Sequence, residues 1–131
     1  MSAFSNYVED KIVDVFLRSG SHTGSAPYVA LFTADPTDDT TTALANEASY
    51  TNYVRVAATF TASSNGVTQN TAQLDFAANG DGVSSTITHV GVFDASTSGN
   101  LLFHASLTTS KTLQPGDVLS FAAGALQITV A

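Results

Sequence analysis

The stretch THVGVFDASTSGNLLFHASL, Thr88 to Leu107, carries two apolar runs on either side of DASTSG, Asp94 to Gly99. Small and polar turn formers between two short apolar runs predict a β-hairpin. A hairpin symmetric about Ser96–Thr97 sets Val92 opposite Leu101, Val90 opposite Phe103 and His89 opposite His104. Opposed residues on one face lie about 4.5–5.5 Å apart at Cβ, close enough for two imidazoles to share an ion. Zinc needs more ligands than two, and neither His22 nor an Asp stands at a spacing that supplies a third. The ordinary reading is two histidines hydrogen-bonded on a sheet face, and no metal site is expected.

Working outward, other segments repeat the same grammar. YVALF (Tyr28–Phe32) is a short, almost continuous apolar strand, and YVRVAATF (Tyr53–Phe60) alternates, with Val54, Val56, Ala58 and Phe60 on one face and Arg55 and Thr59 on the other. SSNG and NGDG are turn signals, VTQNTAQLDFA lies between them, and QPGD places Pro and Gly in type II turn positions. VLSFAAG and LQITV close the chain. About eight short strands at regular spacing predict a mainly β protein, an antiparallel β-sandwich or jelly roll. There is no repeat of fixed period and no heptad, so no long fibrous shaft is encoded.

The first 18 residues read differently. Phe4, Tyr7, Val8, Ile12, Val15 and Phe16 fall at helical spacing on one stripe. Ser2 or Ser5 suits the N-cap, the early acids suit the positive end of the helix dipole, and Gly20 can stop the helix. One N-terminal amphipathic helix over about 3–18 is expected. A linker over about 19–27 and the β body over about 28–131 then complete a single domain. The aromatic and β-branched stripe requires a partner surface, either its own β body or a neighbouring subunit.

Composition narrows the function. Eleven Asp+Glu against four Lys+Arg give a net charge of −7, which argues against nucleic acid and against anionic membranes. The absence of cysteine excludes disulfides and thiolate sites. Glu9, Asp10, Lys11 and Asp14 interrupt the first apolar region, so no signal peptide is expected and folding in a cytoplasm is. The loop TADPTDDTTTALANEAS offers Asp35, Asp38 and Asp39 as clustered carboxylates, but without the spacing or the Gly of an EF-hand. A solvated turn is its default reading. Neither a G-x-S-x-G elbow nor a Gly-rich phosphate loop occurs, so no enzyme and no cofactor are expected. Tyr28, Tyr50 and Tyr53 suit core or rim packing better than a sugar platform.

The chain resembles a family of small bacteriophage virion proteins, often labelled phage tail fibre proteins. The resemblance rests on SNYVED, YVALFTADPTD, YVRVAATF and THVGVFDASTSGNLLFHASLTTSKTL continuing into GDVLSFAAGALQITV, and covers nearly the whole chain in order. It implies a particle component made in the host cytoplasm and placed on the outer surface of the virion, with no catalytic residues. It also implies that His89 and His104 belong to a structural hairpin. Since no shaft repeat is present, the first expectation is a capsid cement or decoration protein binding between capsid subunits. The alternative is a tail-fibre or tail-tip module touching host glycans. The expected partners are the major capsid protein or tail proteins, and further copies in a homo-oligomer such as a trimer. Phe4, Tyr7, Val8 and Ile12 on the helix, with Asp35, Asp38 and Asp39 in the acidic loop, are the expected contact residues, because loops on a rigid body carry recognition.

Overall fold

The computed structural model describes residues 3–130. Its elements run β1 (Ala3–Phe4), α1 (Asn6–Leu17), β2 (Tyr28–Phe32), α2 (Thr40–Asn46), β3 (Val56–Ala57), β4 (Val67–Gln69), β5 (Leu74–Asp75), β6 (Ser85–Phe93), β7 (Leu101–Leu113), β8 (Ser120–Phe121) and β9 (Gln127–Thr129). The protein is mainly β, with all described strand pairs antiparallel and no closed barrel. One five-stranded sheet has the order β1-β7-β6-β2-β3, and two two-stranded ladders pair β4 with β9 and β5 with β8.

YVALF reads as a continuous apolar run because β2 is covered on both faces. Val29 and Leu31 join Ile87, Val90 and Val92 of β6 in a cluster closed by Leu74, Leu119 and Ile128 from the region of the two ladders. Ala30 and Phe32 point the other way and pack with Ala43 of α2, Phe93 and Leu101. Full burial of side chains such as Leu31 and Phe32 contributes about 1.5–3 kcal/mol each.

The hairpin forms, but not in the symmetric register. Val92 pairs with Phe103, Val90 with Ala105, His89 with Ser106 and Gly91 with His104, so the two histidines are not opposite one another. The cause lies in the turn. The Asp94 carboxylate accepts from the Asn100 backbone N–H (2.7 Å) and from Asn100 Nδ2 (3.0 Å), and Ser98 and Gly99 take left-handed φ of 52° and 71°. The loop is therefore closed between residues 94 and 100, and the register shifts between Val92 and Phe93. A second irregularity follows: β6 advances two positions from Ile87 to His89 while β7 advances five from Ser106 to Lys111. Residues Leu107 to Ser110 thus bulge out opposite Thr88.

Three further expectations are corrected. YVRVAATF supplies only the two-residue strand Val56–Ala57, and the expected two-face alternation breaks at its start: Arg55 is buried and Val54 exposed, whereas further on Ala58 is buried and Thr59 exposed. The acidic loop contains α2, capped by the Asp39 carboxylate, which accepts from the Thr42 backbone N–H at 2.8 Å. Helix α1 is shorter than expected and preceded by β1, with Ser5 as its N-cap; Ser2 lies outside the described residues. Ser5 is fully buried. Its N–H donates to the Leu102 carbonyl (3.0 Å), its hydroxyl donates to the Leu101 carbonyl, and its Oγ accepts from the Val8 N–H (3.3 Å). One serine therefore caps the helix and fastens it to β7.

Gly91 allows a close approach in the sheet. A Cβ there would stand 2.7 Å from Cε2 of Phe32 and 3.0 Å from the Phe103 carbonyl oxygen. Gly91→Ala is expected to destabilise the protein by about 1–3 kcal/mol through overpacking, read as a lower midpoint in urea unfolding. Val83→Ala, at an exposed position, is expected to leave that midpoint within about 0.5 kcal/mol.

Candidate functional site

Arg55 organises the most elaborate polar cluster. Its Nε donates to Glu47 Oε2 and its Nη2 to Glu47 Oε1, both at 2.8 Å, forming a bidentate pair. Its Nη1 donates to the carbonyls of Ala95 and Ser98, each at 2.8 Å. The guanidinium carbon lies 3.6 Å from the centroid of the Phe93 ring. Tyr53 completes the cluster: its hydroxyl donates to Glu47 Oε2 at 2.6 Å and accepts from the Leu31 N–H of β2 at 3.1 Å. One cation thus joins the end of β6, the loop after it, and the segment around Glu47.

The result is a rigid loop with an exposed tip of Ser96, Thr97 and Ser98. The tip stands at the rim of an open cleft of about 390 Å³, whose other walls include Leu44, Glu47, Tyr53 and Val54. Hydroxyls on a pre-organised loop beside an open cleft can make directional hydrogen bonds without first being ordered. Sequence reasoning missed this cluster. The available signal was a single Arg in an otherwise apolar alternation, but nothing local identifies Glu47, eight residues away, as its partner.

The other expected site residues are put to structural use. His104 Nε2 lies 2.7 Å from Asp38 Oδ1, tying the acidic loop to β7. His89 Nδ1 lies 2.8 Å from the Thr88 hydroxyl. Asp35 Oδ1 accepts from the Thr37 N–H at 2.9 Å, and Asp39 caps α2. Asp35, Asp38 and Asp39 therefore serve three separate contacts. Among the described residues no group of three or more His, Asp or Glu stands together as a metal site would require. Tyr50 is buried, donates to the Ala77 carbonyl at 3.0 Å and meets the Tyr53 ring edge-on at 5.4 Å; Tyr53 also stacks on Phe76. These tyrosines pack the core, as expected.

The helix stripe is only partly docked. Phe4 meets the Phe103 ring at 5.3 Å, and Tyr7, Val8, Ile12 and Val15 line an open groove of about 340 Å³ against Leu102 and Phe103. No residue of α1 is buried, and Phe16 is 78% exposed. The expectation that the stripe would be covered is met neither for Phe16 nor for Ile12 within this chain.

Fold and surfaces together define a small antiparallel β protein with a locked loop and an uncovered apolar helix. The chain belongs to the family described as podophage GP4 fiber I protein gp80, whose model matches residues 3–129. It is accordingly a phage fibre protein, a structural component of the virion. No curated protein matches the chain.

Two outcomes follow from the cluster. Arg55→Ala leaves the largely buried Glu47 carboxylate without its cation, and it is expected to cost about 3–5 kcal/mol in urea unfolding. The amides of residues 95–99 should then exchange hydrogen faster than in the native chain. Tyr53 also sets an alkaline limit. Burial foremost, and then its hydrogen bond to Glu47, push its hydroxyl well above the ordinary phenol value. In the unfolded chain that hydroxyl ionises near about pH 10. Above that pH the unfolded state binds fewer protons than the folded one, so stability is full below about pH 10 and falls as the pH rises beyond it. Tyr53→Phe is expected to flatten the fall, seen in urea midpoints between about pH 9 and 11.

Proposed function

We propose that this protein is a tail-fibre module, without catalytic activity, that presents a rigid hydroxyl-bearing surface to host glycans on the outside of the particle. The observation that carries the reading is the Arg55-held loop, with Ser96, Thr97 and Ser98 at the rim of the 390 Å³ cleft. A hydrogen-bonding surface fixed before binding suits neutral, hydroxyl-rich ligands. The non-enzymatic reading rests on the engagement of the ionisable groups: Glu47 and Arg55 bind each other, Asp38 binds His104, and Asp94 closes its own loop. The family match supports the fibre reading over the capsid-cement reading. Weak single contacts suffice where several copies act together, because avidity multiplies them.

Fractionated particles test the location. The protein is expected in tailed particles at fibre copy number and absent from tailless empty heads. Hundreds of copies on empty heads would instead establish the cement role. In a parallel experiment, purified protein should slow adsorption of phage to host cells. Thr97→Lys, which crowds the loop tip, should lose that competition while keeping its unfolding midpoint. Equal competition by both proteins would remove the loop from host recognition.

A further inference from the structure

Helix α1 keeps an apolar face that no described part of the chain covers. At 100° per residue, Tyr7, Val8, Lys11 and Val15 share the side that turns toward β7. Ile12 and Phe16 stand at the edge of that groove and Val13 and Leu17 on the outer side; Val13, Phe16 and Leu17 are 48%, 78% and 78% exposed. The second half of the helix is thus apolar nearly all round, the pattern of a helix buried in an assembly. A contiguous patch of this kind marks an interaction surface.

The charges on the outer face specify the partner. Glu9 and Asp10 are exposed and lie on the solvent side of the helix, about two turns before Phe16 and Leu17. The helix cations are directed elsewhere: Lys11 Nζ lies 5.5 Å from the Tyr7 ring centroid, and Arg18 Nη1 lies 3.6 Å from Asp14 Oδ1. Of the other two cations in the sequence, Arg55 is buried and Lys111 lies on β7. The face is therefore apolar at one end and negative at the other. A second copy matches it poorly. Parallel pairing sets carboxylates against carboxylates, and antiparallel pairing sets them against the negative end of a helix dipole, in a chain of net charge −7.

We propose that the outer face of α1 is the docking site for a basic amphipathic segment of another virion protein. Its apolar side chains cover Val13, Phe16 and Leu17, and its Lys or Arg side chains face Glu9 and Asp10. This surface is separate from the loop tip, so its test is independent of glycan recognition.

The test uses the purified full-length chain and two labelled synthetic helical peptides of equal length, one of Leu and Lys and one of Leu and Glu, followed by fluorescence anisotropy. The Leu/Lys peptide is expected to bind, and to bind less tightly as salt is raised. The pair Phe16→Ser with Leu17→Ser, and separately the pair Glu9→Lys with Asp10→Lys, should each weaken binding by about tenfold or more. Because these side chains are exposed, circular dichroism should confirm that the variants fold. Asp35→Asn, which keeps the turn-forming oxygen, should bind like the native chain. The proposal is overturned if the Leu/Glu peptide binds as well, if neither pair weakens binding, or if Asp35→Asn weakens it equally. Sedimentation covers the remaining occupant: self-association that disappears with Phe16→Ser and Leu17→Ser would assign the face to a second copy and likewise overturn the proposal.

Discussion

Burial of strand β2 on both of its faces is the constraint on which the other elements depend. A strand with one solvated face needs one covering layer, but Val29–Leu31 and Ala30–Phe32 point to opposite sides and both pairs are inaccessible to solvent. One side is filled from the region of the small β4–β9 and β5–β8 ladders, the other from α2 and the start of β7. The pairing of β2 with β6 over five consecutive positions holds these two half-cores in one sheet. Gly91 follows from this arrangement, since it sits opposite Ala30 and leaves space for the Phe32 ring.

The Arg55 cluster extends the same logic to polar groups. A guanidinium beneath a loop is costly to desolvate, and its cost is offset only when nearly every donor is matched. Here two donors meet Glu47 and two meet loop carbonyls, while the aromatic face of Phe93 covers the plane. Such an arrangement does more for specificity than for stability: it selects one conformation of residues 95–99 among the many that Ser, Thr and Gly allow. In the proposed role of this loop the choice matters, because a loop ordered in advance loses little entropy on binding.

Much of the β architecture was legible in the chain. YVALF, STITHVGVF and LQITV occur as β2, β6 and β9, since strand formation there follows from local apolar runs bounded by turn residues. The faces of YVRVAATF were not legible. Alternation set Arg55 apart from its apolar neighbours without saying which side meets the core, and a partner eight residues earlier and two distant carbonyls draw Arg55 inward. Helix α2 escaped notice because seven residues carry too little periodicity to stand out from a Thr-rich loop, although Asp39 ahead of Thr40–Asn46 was a legitimate capping signal. The register of the β6–β7 hairpin goes with contacts across its turn, where the Asp94 backbone and carboxylate both bond to Asn100.

By itself the sequence determined the mainly β class, the antiparallel hairpins, the N-terminal amphipathic helix and the resemblance to phage virion proteins. These rest on near-neighbour properties: period, turn chemistry and composition. The tertiary structure alone decided which polar groups are paired and which apolar ones are left over. His104 meets Asp38 across 66 positions of chain, and Phe16 remains exposed although it belongs to an apolar stripe. Both outcomes depend on where distant segments come to rest. Contact over long sequence separation is set by packing of the whole chain, and no local pattern encodes it.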